Sequence, residues 1–302
     1  MRKTIPPLLV ILLLLSAGCV RDLSPTLPAE LGAASITAEQ TAASTAAKPT
    51  AVPGTTAVQE LRLPILMYHQ LTTKPERTHE LCITLELFKQ DLDEIEKKGY
   101  TPVSMAQVID FCEQGKPLPP KPIVLSFDDG YESFYVYAYP LLKERKMHAT
   151  LAVIGWVADR FSKVSDHRLK YSCCTWEQLR EMAEDGTAEV LSHSWDLHTM
   201  EKGRNGAAQK KGESIEDYRA ALAEDMEYMH KAFERAKLPD VPVFVYPYGA
   251  FSPDSAEILR SLGIRAAFQC DSRVNILRAG DTDALMRLGR FNRPPGKPLP
   301  IE

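Results

Sequence analysis

Ile123-Val124-Leu125-Ser126-Phe127-Asp128-Asp129-Gly130 runs from an almost wholly apolar stretch into two adjacent carboxylates and a glycine. A short apolar run bounded by a turn signal reads as a strand buried on both faces. The same texture recurs at Pro64–His69, Ala149–Ile154, Ala188–Ser192, Val243–Tyr246 and Ile264–Phe268. Helical signals stand between these runs. Thr84 caps a helix with Leu87, Phe88, Leu92 and Ile95 on one face, stopped at Gly99. Ser104 opens another. An aromatic-rich helix follows Gly130 to about Lys146, and Thr175 with Gln178 forms a capping box for a helix ending near Gly186. Ser214 to Lys237 reads as a long helix and Pro253 to Leu262 as a shorter one. Strands alternating with helices predict an α/β fold with parallel strands and right-handed crossovers. About seven such units suit a barrel better than two open sheets.

In such barrels chemistry gathers where strands end and loops begin. Four clusters stand there. Asp128 and Asp129 follow a buried strand, where two carboxylates are costly unless a cation offsets them. One of the pair can bind a metal while the other faces a reacting group; the alternative is an ordinary Asp-Gly turn. His193 and His198 bracket Ser194-Trp195-Asp196-Leu197. Five residues apart, they lie on opposite faces of a strand and converge on one ion only if the chain bends. Neutral imidazoles are good ligands for Zn²⁺. Tyr246-Pro247-Tyr248-Gly249 shapes a turn whose N–H groups can point into a cavity. Met67-Tyr68-His69-Gln70 ends the first strand; by itself His69 reads as a core or surface histidine.

Taken together, Ser126-Phe-Asp128-Asp129-Gly130, then His193-Ser-…-His198, then Tyr246-Pro-Tyr248-Gly resemble the polysaccharide deacetylase (NodB-homology) domain of carbohydrate esterase family 4. The resemblance runs over about residues 61–302. It implies a distorted (β/α)7-type barrel. It also implies Asp128 as general base and Asp129, His193 and His198 as ligands of one divalent metal, usually zinc. The backbone N–H of Tyr248 would form part of an oxyanion site. Three features depart from much of the family. The two histidines are five rather than four apart, Val245 stands where many members carry Arg, and Leu288-Gly289-Arg290 lacks the usual Leu-x-His acid. The poly-β-1,6-N-acetylglucosamine deacetylase branch shares these features and keeps its acid histidine on an N-terminal Tyr-His strand, which Tyr68-His69 matches. His69 is therefore expected to be the general acid, with Asp271 and Arg290 as candidates for support.

The implied activity is removal of N-acetyl groups from N-acetylglucosamine units of a cell-surface polysaccharide, either poly-N-acetylglucosamine or peptidoglycan. Two other readings stay open: an O-acetyl polysaccharide esterase, and a metal-bearing glycan-binding lipoprotein without turnover. A net charge of −4 leaves no basic excess for binding nucleic acid. A monomer is expected.

The front of the chain has a different character. Arg2 and Lys3 precede the apolar run Leu8–Leu15, the small residues Ser16-Ala17-Gly18 and then Cys19. This reads as a secretory signal over 1–18. It resembles the lipobox of bacterial lipoproteins, which implies lipid on Cys19 and anchoring at the extracytoplasmic face of a bacterial membrane. Ala, Thr and Pro dominate the stretch beyond Cys19, so 19–60 reads as an extended tether and 61–302 as the folded domain. The five other cysteines, with no C-x-x-C pair, do not form a recognisable disulfide scaffold.

Overall fold

The computed structural model describes residues 60–301. The signal, Cys19 and the tether lie outside the described residues, apart from Glu60.

Seven parallel strands make the frame: β1 (Ile65–Tyr68), β2 (Pro122–Phe127), β3 (Ala149–Val153), β4 (Ala188–Ser192), β5 (Val243–Val245), β6 (Ala266–Phe268) and β7 (Phe291–Asn292). Each pairs with the next from β1 to β6, and β7 pairs with β1. The segment leading into β7 completes the ring. Leu288 bridges Phe268 of β6, and three residues later Phe291 pairs with Leu66 of β1. The expected barrel is thus present, but two residues supply its closing strand, which is why it is distorted. A two-residue strand has no periodicity to read, and β7 is absent from the sequence-based reading.

Helices cover the outside: α1 (Leu85–Lys97), α2 (Met105–Gln114), α3 (Tyr139–Glu144), α4 (Gly155–Phe161), α5 (Trp176–Glu184), α6 (Ile215–Ala236) and α7 (Ser255–Ser261). Thr84, Ser104, Thr175 and Ser214 each accept a backbone N–H at their helix starts, with full capping boxes at Ser104 and Thr175. The aromatic-rich helix after Gly130 differs from expectation. It begins as a π-helix over Phe134–Ala138 and becomes α-helical only at Tyr139, where Pro140 cannot donate to the ladder. Helix α4 has no counterpart in the sequence-based reading; it follows β3 with no side-chain cap to announce it.

Strand residues alternate between the barrel interior and the helix-covered outside, where β5 and β6 pack Phe244 and Ala267 into a separate cluster with α6 and α7. Ile65, Val124, Ala152, Leu191, Val243, Val245, Ala266, Phe268 and Leu288 share the cluster that fills the barrel. Their neighbours Leu66, Tyr68, Leu125, Phe127, Leu151, Val153 and Val190 pack outward against α1, α3, α5 and α6. This parity places the site, because it predicts which residue past each strand end still faces inward. Continuing it, His69, Asp128 and His193 face the interior. The five described cysteines are all free. Among the described residues no helix is long and apolar enough to cross a membrane.

Candidate active site

Register sets His69 beside Asp128. β1 and β2 pair Tyr68 with Phe127, and the Asp128 N–H donates to the Tyr68 carbonyl at 3.0 Å. The next residue on each strand is His69 and Asp128, and parallel neighbours lie about 4.8 Å apart. Asp128 is buried, and its two oxygens accept from Arg290 Nη1 at 2.6 Å and Nη2 at 2.8 Å. Arg290 is fully buried in the segment that closes the barrel. Its remaining donors reach Ser126 Oγ at 2.9 Å and the Gln269 carbonyl at 3.1 Å. Burial alone would push the Asp128 carboxyl up, but the bidentate Arg290 guanidinium overrides it and holds it below the usual carboxylate range.

Asp129 turns the other way. By strand parity it would face outward, but its φ of 68° swings the carboxylate back over the barrel end. There Asp129 Oδ1 lies 3.6 Å from His193 Nε2 and 3.3 Å from His198 Nε2, and the three ligand atoms lie within 4.8 Å of one another. His193 Nδ1 faces the Val245 carbonyl at 2.8 Å. A carbonyl only accepts, so Nδ1 carries the proton and Nε2 is left with its lone pair toward Asp129. Burial pushes His193 down to about 3 and also lowers His198, which keeps both imidazoles neutral. Burial raises Asp129 to about 6, with the Asp128 charge adding to it. Two neutral imidazoles beside a carboxylate whose charge is disfavoured by burial are suited to a cation, and the donor set fits a tetrahedral metal with an open position. Metal uptake should weaken below about pH 6, where a proton competes for Asp129, and level off above it. Zinc affinity measured from about pH 5 to 8 checks this; a slope persisting above about pH 7 would assign the competing proton elsewhere.

Tyr248 has a φ of 58°, unusual for a residue with a side chain. Its ring centroid lies 4.3 Å from that of His198 and its hydroxyl donates to the His198 carbonyl at 3.3 Å. Gly249 follows, also at positive φ, and a Cβ there would meet Cys270 Cβ at 2.8 Å. The turn is therefore pressed against the β6 loop and its backbone is held in place.

The structure thus brings together Asp128, Asp129, His193, His198, His69 and Tyr248. Arg290, singled out in the sequence only as support, proves to be the direct partner of Asp128. Asp271 does not join it: its carboxylate pairs with Arg273 at 2.9 Å and Gln269 at 3.1 Å, and only its backbone carbonyl accepts the Arg290 N–H. Sequence reasoning assigns no role to Ser126. Its one signal is a single hydroxyl inside an apolar strand, at an inward-facing position.

Residues 115–267 match the polysaccharide deacetylase family. The chain belongs to that family. His69 and Arg290 lie outside the matched segment, one on each side. Among curated relatives, a poly-beta-1,6-N-acetyl-D-glucosamine N-deacetylase of Escherichia coli (strain K12) is 29% identical over 248 residues, covering 76% of this chain and 36% of the relative. Its namesake from Staphylococcus aureus (strain MSSA476) is 26% identical over 174 residues, covering 57% and 55%. The chain therefore spans about a third of the first relative's length and about half of the second's. Among solved structures, the de-N-acetylase from Aggregatibacter actinomycetemcomitans superposes with a TM-score of 0.66 at 25% identity, over 79% of this chain and 97% of that one. IcaB from Ammonifex degensii gives 0.63 at 29%, over 78% and 92%.

Proposed function

We propose that this chain is a metal-dependent hydrolase that removes N-acetyl groups from a β-1,6-linked N-acetylglucosamine polymer, releasing acetate. The observation that carries the reading is the pairing of a His-His-Asp ligand cluster with a second, non-ligating carboxylate and an imidazole on the adjacent strand. Binding a glycan requires no such base or acid beside a metal; hydrolysis of an amide requires both. The names of the E. coli and S. aureus relatives favour poly-N-acetylglucosamine over peptidoglycan.

Asp129, His193 and His198 would hold the ion, taken as Zn²⁺ from the donor set. Bound there, zinc would polarise the acetyl carbonyl and lower the pKa of a bound water toward about 7. Asp128 accepts the water proton as the oxygen attacks the acetyl carbon. Its oxygens retain lone pairs for this beyond those taken by Arg290. The backbone N–H of Tyr248 would stabilise the developing oxyanion. His69 gives a proton to the leaving nitrogen as the C–N bond breaks, leaving acetate and a glucosamine unit.

Acetate release from poly-N-acetylglucosamine, peptidoglycan, chitin oligomers and acetylxylan tests the reading. The first polymer should be the best substrate. Release from acetylxylan alone would make the protein an O-acetyl esterase, and release from none would make it a binding protein. Asp128→Asn should keep the zinc and lose turnover by about 10²-fold, the low end for general base catalysis, because Arg290 already depresses the basicity of Asp128. Loss of zinc in that variant would show that Asp128 is itself a ligand.

A further inference from the structure

The two histidine ligands pose a geometric problem that neither solves. Residues 193 and 198 lie on opposite faces of any extended strand. Their Nε2 atoms nevertheless both lie within 3.6 Å of one Asp129 oxygen. The chain between them must reverse, and the reversal is held from outside the barrel. Ser194 takes a φ of 70° and its Oγ accepts the Leu197 N–H at 3.1 Å. The Ser194 and Trp195 carbonyls accept the N–H groups of Gly155 and Trp156 at the start of α4, at 3.1 and 3.2 Å. That leaves the N–H groups of Trp195 and Asp196. Both donate to a single carboxylate, Asp225 on α6, at 2.8 Å to Oδ2 and 2.8 Å to Oδ1 respectively.

Asp225 is only 6% exposed, and among the described residues it has no ion pair with a cation. A buried carboxylate without a counter-ion is costly unless hydrogen-bonded to donors set in place for it. Charge-assisted bonds to backbone N–H groups are about twice as strong as neutral ones. A long helix thus carries a buried charge whose two oxygens are both spent on the residues midway between two metal ligands. Nothing about packing α6 onto the barrel requires an acid here; Leu222 and Met229 on the same helix pack it with apolar contacts.

We infer that Asp225 is a positioning residue of the metal centre: it sets the turn at Trp195–Asp196 and so the distance between His193 and His198. It acts through the turn and not by contact with the ion. The inference rests on the metal-site reading given above.

The test is zinc affinity of the full chain by chelator competition, with Co²⁺ absorption as a reporter of ligand geometry. Asp225→Asn keeps the shape but replaces one acceptor with an NH₂ that faces an N–H. Zinc affinity should fall about 10–100-fold, as when outer partners of metal ligands are removed. The Co²⁺ spectrum should change, and kcat at saturating zinc should fall with KM unchanged. A folded variant with affinity within about twofold of the parent, on the same scale, would reduce Asp225 to a structural role and overturn the inference. A parent protein that binds no zinc would instead remove the metal-site reading itself. Should the variant not fold, hydrogen exchange on the parent decides. The Trp195 and Asp196 amides should be protected without zinc as well as with it. Protection only in the zinc-loaded protein would mean that the ion, and not Asp225, shapes the turn.

Discussion

Replacing Arg290 with methionine is expected to cost about 3–5 kcal/mol of stability, because it leaves the Asp128 charge buried and unpaired. The pair is fully enclosed and bidentate, so solvent does not screen it. The sign of its pH dependence comes from the direction of the shift. The folded pKa of Asp128 lies below its unfolded value of about 3.9, so the stabilisation is complete above about pH 4 and is lost as pH falls through the folded value. In Arg290→Met burial acts without its counterweight and pushes the carboxyl up. The acid limb of kcat/KM should then move to higher pH. Urea unfolding and a pH–rate profile measure the two effects. The double variant Asp128→Asn/Arg290→Met should regain part of the stability, since it removes both buried charges. An unchanged unfolding midpoint together with an unchanged acid limb would show that Arg290 neither stabilises the fold nor tunes Asp128.

His69→Ala should lower turnover on the polymer by about 10²–10⁴-fold while leaving zinc content unchanged. The imidazole lies level with Asp128 on the adjacent strand and is not among the clustered ligand atoms. Its Nδ1 is buried with no hydrogen-bond partner among the described residues, so its removal breaks no structural bond at that atom. Three other histidines are engaged elsewhere: His148 with Gly186 and Glu189, His167 with Glu132 and His230 with Asp240. The loss should shrink for an activated ester, whose leaving group needs little protonation. Parent-like turnover of the polymer by His69→Ala would move the acid role to another group.

The sequence by itself determined the parts that depend on near neighbours. Apolar runs at Ile123–Phe127 and Ala188–Ser192 and the caps at Thr84, Ser104, Thr175 and Ser214 are local signals, and the strands and helices they announce are present. The motif residues Asp128, Asp129, His193, His198 and Tyr248 were legible because each stands just past such a run. Only the tertiary structure decided how they meet. Arg290 reaches Asp128 across 162 residues of chain, from a segment with no period of its own. His69 gains its place from the register of β1 on β2, and register is a property of the paired strands and not of either one. The five-residue histidine spacing stated only that the chain must bend; the carboxylate that holds the bend came from α6, 29 residues beyond Asp196. Side-chain chemistry and local periodicity are written residue by residue, whereas closure of the barrel and the partners of buried charges exist only once distant segments share one interior.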